Sequence, residues 1–140
     1  MQRALTLHQT TIGKKVIMAL SGIIIVGFTV GHFLGNLNLY LGPEALNGYA
    51  KTLHDLPALV WGTRLVLLFA FGVHVASAYS LWSRNREARR TRYKRQKDLA
   101  TDYAARTMYW TGPILLLYLI YHLLHFTILP EYPGDVYRNV

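Results

Sequence analysis

The spacing of the charges constrains this chain more than any other feature. After Lys15 no Asp, Glu, Lys or Arg occurs until Glu44, so Val16 to Pro43 forms 28 consecutive uncharged residues rich in Ile, Val, Leu, Phe and Gly. A second uncharged run of 19 residues covers Leu65 to Ser83, and a third of 24 residues covers Thr107 to Pro130, with the block ILLLYLIYHLLHF inside it. A bilayer core of ~30 Å is crossed by about 20 helical residues. The expected fold is therefore all-α, a transmembrane helix bundle with three spans in these 140 residues. A water-soluble globule would spread its 52% of hydrophobic residues periodically instead of massing them.

The predicted organisation follows from the runs. Residues 1–15 form an N-terminal arm, 16–41 the first transmembrane helix, and 42–56 an outer loop with a Gly42-Pro43 break and a helix-compatible stretch through Lys51. Pro57 opens the second helix, 57–83, with Arg64 near the interface or directed into the protein. Residues 84–106 form a basic loop, 107–129 the third helix, and 130–140 a turn-rich outer segment. Tyr40, Trp61, Trp82 and Trp110 sit near span ends, where an interfacial aromatic belt places them. A signal peptide does not fit the first run, which exceeds a typical apolar region of ~7–15 residues and is followed by more spans without a convincing small-residue cleavage site.

The net charge of +8 is an orientation signal. The 84–106 loop carries nine Lys or Arg against three acids and shares a side with Arg3, Lys14 and Lys15; the other side holds Lys51, Arg64 and Arg138. The positive-inside rule puts the loop and the N-terminus in the cytoplasm of a multi-pass protein. The same loop suits anionic lipid head groups or an extrinsic protein partner; a basic stripe between spans needs no nucleic acid.

With no cysteine, disulfides, thiolate-held metals and covalent haem attachment are excluded, and histidine remains as the ligand for any metal. Ionisable residues inside a span are functional candidates by default. His32 follows Lys15 by 17 residues and His122 follows Arg106 by 16, which puts both about 25 Å from the cytoplasmic boundary at ~1.5 Å per residue. His74 precedes Arg84 by ten residues, roughly 15 Å from that boundary, in a different layer. Two inward imidazoles at one depth suit bis-histidine ligation of haem b. Interhelical hydrogen bonding alone is the other reading of all three. Gly27, Gly31 and Gly35 make a smooth stripe beside His32, open to a close helix or a flat macrocycle, and Gly72, Ala76 and Ser77 surround His74. His125 is set about 60° around the helix from His122, so it is a candidate neighbour of a haem propionate or a quinone, not a second ligand to one iron. His54 precedes Asp55 in the outer loop and could contact the distal cofactor; His8 in the arm reads as solvated. No HExxH, P-loop, dinucleotide fingerprint or Ser-His-Asp arrangement is present, and the spans hold no acids for a proton relay. Electron transfer or anchoring remains.

Taken in order, TIGKKVIMALSG, GHFLGNLNLYLGPEALNGYA, FGVHVASAYSLW and ARTMYWTGPILLLYLIYHLLHFT resemble the diheme cytochrome b membrane anchor of bacterial succinate dehydrogenase/fumarate reductase, from about residue 10 to the end. The resemblance implies five transmembrane helices, of which three are present here, so the chain is expected to be a truncated or split anchor. It also implies two haems b, flavoprotein and iron–sulfur partner subunits on the cytoplasmic side, electron exchange with quinone, and a place in the bacterial inner membrane. By position, His32 and His122 correspond to the axial pair of the distal haem, and His74 to one ligand of the proximal haem, giving one complete bis-His site and one half site. Ser21, Lys15 and His54 are candidates for the quinone head group, while Arg64 and Arg106 are candidates for propionates or for lipid head groups. Dicarboxylate chemistry would belong to the partners. A haem-free anchor, or the cytochrome b of a formate dehydrogenase or hydrogenase, are the competing expectations.

Overall fold

A computed structural model describes residues 9–88 and 101–128. These form four α-helices and two short helical segments, with no strand among the described residues. The expected His8, most of the basic loop and the outer segment 130–140 lie outside them. The chain divides into two units, Met1–Thr91 and Arg92–Val140.

In the first unit, helix α1 runs Thr11–Asn36, starting five residues before the first uncharged run because Thr10 caps it. The Thr10 hydroxyl accepts from the Gly13 amide at 2.9 Å, satisfying one of the unpaired amides of a helix start. A 3₁₀ segment, Leu37–Leu41, closes the span. Gly42 then turns the chain at φ 102°, a conformation that L side chains rarely adopt. Pro43 follows as the first residue of α2, Pro43–His54, whose position needs no amide hydrogen. Glu44 in its first turn and Lys51 and His54 in its last complement the helix dipole. The expected outer loop thus holds a full helix.

Pro57 opens α3, which continues through Glu87. Its 31 residues span about 46 Å, more than the bilayer core, so the Arg84 and Arg86 end extends past the apolar run. Helices α1 and α3 pack against each other antiparallel, and α2 packs against α3. At one end Lys14 Nζ donates to Ser80 Oγ, and Arg84 Nη1 donates to the Gln9 carbonyl at 3.0 Å. In the second unit, Asp102 caps α4, Tyr103–Leu123, by accepting from the Ala105 amide at 2.8 Å. Pro113 lies inside this helix, and Leu124–Ile128 continue in the wider π winding.

Burial accounts for where such a chain is stable. Among the described residues the buried apolar set is Ala50, Ala70 and Leu81, whereas Leu68 and Phe69 are 71% and 74% exposed. Helices with this much apolar surface and so little core present the kind of surface that lipid covers. Three helices are long and apolar enough to cross a membrane: Thr11–Leu41 with its 3₁₀ turn, Pro57–Glu87, and Tyr103–Ile128 with its π turn.

Candidate functional site

His74 sits midway along α3 with its ring against α1. Its Nδ1 lies 3.0 Å from the Met18 carbonyl oxygen and 3.3 Å from Ser21 Oγ. Ser21 is 5% exposed, and its hydroxyl is directed at carbonyls of its own helix, Ile17 at 2.8 Å and Met18 at 3.0 Å. Gly22 completes the contact: a Cβ there would stand 3.2 Å from His74 Cε1. Ser21, expected as a quinone candidate, is thus placed beneath His74. Lys15 is exposed on α1, and its neighbour Lys14 is the lysine that reaches α3.

His32 lies 21 residues beyond the start of α1 and His122 lies 19 beyond the start of α4, so each is deep in a spanning helix. The two belong to different units. His32 stacks on Phe28, with ring centroids 5.4 Å apart and planes 13° from parallel. Asn36 donates to the His32 carbonyl at 2.8 Å, and its side-chain nitrogen is 3.5 Å from His32 Nε2. His122 stacks on Tyr118 at 5.9 Å and meets Phe126 at 5.1 Å. His125 stacks instead on Tyr121 at 5.6 Å, one turn back on a neighbouring face, and meets Phe126 edge-on at 4.5 Å. Each of these three imidazoles therefore has an aromatic ring four residues before it, which limits its rotation.

The glycine stripe is not uniform. A Cβ at Gly27 or Gly31 would meet nothing within 4 Å, whereas at Gly35 it would fall 2.8 Å from Tyr49 Cζ and 3.0 Å from Cε1. Gly35 thus admits the Tyr49 ring from α2, while Gly27 and Gly31 face open space. An open apolar groove of about 340 Å³ lies between α1 and α3, with Ile24, Phe28, Gly62 and Val66 among its walls. Outside the groove, the Arg64 guanidinium lies 5.1 Å from the Trp61 ring centroid, a cation–π contact suited to an interface. His54 ends α2, with Nδ1 3.3 Å from the Ala50 carbonyl. Arg106 lies in the first turn of α4 and is exposed.

No three His, Asp or Glu side chains come together to hold a bare metal ion among the described residues. Haem needs only axial nitrogens from the protein, and an imidazole is a donor of that kind; His74 has one ring nitrogen engaged by a carbonyl. Met18, Gly22, Phe28 and Tyr49 are absent from the sequence-predicted set. The Phe28–His32, Tyr118–His122 and Tyr121–His125 spacings are readable from the chain; the Met18 and Gly22 contacts depend on the α1–α3 register.

Fold and composition define the class: an all-α chain with three helices able to cross a membrane, each bearing a histidine within it. Comparison with protein-family models, with curated proteins and with solved structures finds no match.

Proposed function

We propose that the chain is a haem-b-carrying membrane anchor of the succinate dehydrogenase/fumarate reductase kind, linking iron–sulfur and flavin partner subunits electronically to membrane quinone. The observation that carries this reading is the placement of His32, His74 and His122, one deep in each spanning helix and within a charge-free run of sequence, with the motif order described above. An imidazole is costly to hold in lipid, so one in every span is best accounted for by ligands they bind. His32 and His122 would serve as one axial pair, and His74 as half of another. Bound haem b supplies a one-electron carrier. The chain's own residues orient the imidazoles, Phe28 and Tyr118 by stacking, and exclude water from the ligand nitrogens by burial in lipid. Arg64 and Arg106 are suited to propionates or lipid phosphates. The apolar groove beside Phe28 suits the tail of a quinone, and the basic side would face the cytoplasm and the partner subunits in a bacterial inner membrane.

A haem-free anchor is the second reading, favoured by the His74–Met18 bond, since interhelical hydrogen bonds of this kind join membrane helices without any cofactor. Spectra separate the two. The purified full chain, reduced with dithionite, is expected to give b-type Soret and alpha bands; their absence refutes the haem reading. His32→Ala and His122→Ala should remove the same component, and His74→Ala should spare it. Co-purification of an FAD-containing subunit is expected and would exclude a formate dehydrogenase or hydrogenase cytochrome.

A further inference from the structure

The three contacts that α1 makes to His74 have a chemical consequence. The Met18 carbonyl oxygen can only accept a hydrogen bond, so at 3.0 Å the proton must reside on His74 Nδ1. Ser21 agrees, because its own hydroxyl hydrogen is spent on the Ile17 or Met18 carbonyl and only lone pairs remain to meet the ring at 3.3 Å. Imidazole in water prefers the proton on Nε2, so this face of α1 reverses the intrinsic preference. A histidine's tautomer is set by the bond its other nitrogen makes. Gly22 permits the approach: a Cβ would lie 3.2 Å from Cε1, so the ring would have to give by a few tenths of an ångström, and 3.5 Å from Nδ1, an ordinary contact.

We propose that the Met18 carbonyl, with Ser21 and Gly22 shaping its surroundings, is a positioning device that locks His74 as the Nδ1–H tautomer and thereby makes Nε2 its iron-binding atom. This rests on the haem reading above, but its first half does not require haem to be bound. Ligand histidines characteristically donate their second N–H to a carbonyl, which fixes the ring and raises the basicity of the bound nitrogen. Electron donation to iron stabilises the ferric state, so the bond lowers the potential of the haem that His74 serves.

The test uses the full chain in nanodiscs with ¹⁵N-labelled histidine. Two-bond ¹⁵N–¹H correlation spectra of haem-free protein, with His74 assigned by its loss in His74→Gln, are expected to show Nδ1–H. Ser21→Ala should keep that tautomer, because the carbonyl remains, whereas Gly22→Ala should shift the population toward Nε2–H. An Nε2–H pattern in the wild type overturns the positioning role whatever the spectra of the haem show. In haem-loaded protein, Gly22→Ala should raise the midpoint potential of the His74 component and leave that of the His32/His122 component in place. If the tautomer is as stated but no b-type bands form, the haem reading fails and the bond is structural; if bands form and Gly22→Ala moves both potentials equally or neither, the proposal fails and the haem reading stands.

Discussion

Replacing Gly31 and Gly35 by alanine should give opposite results, although the sequence treats them as successive members of one stripe. In a helix interior, alanine is favoured over glycine by roughly 0.8–1 kcal/mol, since it loses less backbone freedom on folding. At Gly31 the new methyl meets nothing within 4 Å, so Gly31→Ala should realise most of that gain. At Gly35 the methyl would stand 2.8 Å from Tyr49 Cζ, about 0.6 Å inside the 3.4 Å of ordinary contact, with the hydroxyl closer still. Tyr49 approaches with the far end of a rotatable side chain, so the ring swings away and α1 and α2 lose its packing. Overpacking of this kind costs about 1–3 kcal/mol. Gly35→Ala should therefore fall about 1–3 kcal/mol below Gly31→Ala.

Reversible unfolding of haem-free chain in mixed SDS and mild-detergent micelles measures the difference, and a Tyr49→Ala background tests its cause. With the ring removed, Gly35→Ala should recover the gain seen at Gly31, giving a coupling of about 1–3 kcal/mol between positions 35 and 49. Equal responses at Gly31 and Gly35, or a Gly35→Ala penalty that survives Tyr49→Ala, would refute the reasoning.

Four further substitutions are open to equally direct measurement. On the haem reading, Gly31→Leu should lower haem content in the reduced-minus-oxidised spectrum without unfolding the chain, because it fills the open space at the residue next to His32; unchanged haem at full occupancy would remove Gly31 from the site. Thr10→Ala should cost about 1 kcal/mol by releasing the Gly13 amide, read as faster hydrogen exchange confined to the first turn of α1. Asp102→Ala should do the same at the start of α4, where Ala105 loses its acceptor. Phe28→Ala should loosen the His32 ring, and on the haem reading this broadens the electron paramagnetic resonance signal of the component that His32→Ala is expected to remove.

The three spans were legible because charge is so costly in hydrocarbon that its absence over a long run marks a segment suited to lipid. Their ends were less so. Helix α1 begins at Thr11, ahead of Lys14 and Lys15, since a capped helix extends into water while an uncharged run stops at the first charge. Likewise α3 runs to Glu87 and α4 begins at Tyr103, each with charged residues in its terminal turns. The outer helix α2 was half visible, from the Gly42-Pro43 and Pro57 breaks, but the packing of Tyr49 on Gly35 is tertiary and leaves no local trace. His32, His74 and His122 stood out as ionisable groups inside charge-free runs, and position along those runs paired the first with the last. What holds each one was divided: stacking partners lie four residues away in sequence, whereas Met18 and Gly22 lie more than fifty residues from His74 and follow only once α1 and α3 are in register.

That division bears on how the site is built. A ring braced from its own helix, as His32 is by Phe28 and Asn36, has its restraint as soon as the helix forms in the membrane. The His74 bond to Met18 forms only when α1 and α3 have docked, so the orientation of its ring depends on helix association. An interhelical hydrogen bond in a bilayer contributes about 0.6 kcal/mol on average, too little to set the α1–α3 register alone. The Lys14–Ser80 and Arg84–Gln9 contacts, toward the charged end of the helix pair, act on the same register. Lys14→Ala with Arg84→Ala should therefore reduce the Nδ1–H signal of His74, some 15 Å from Arg84 along the helix, without touching its neighbours. Retention of the full signal in that double variant would show that apolar packing between α1 and α3 is sufficient to align the ring.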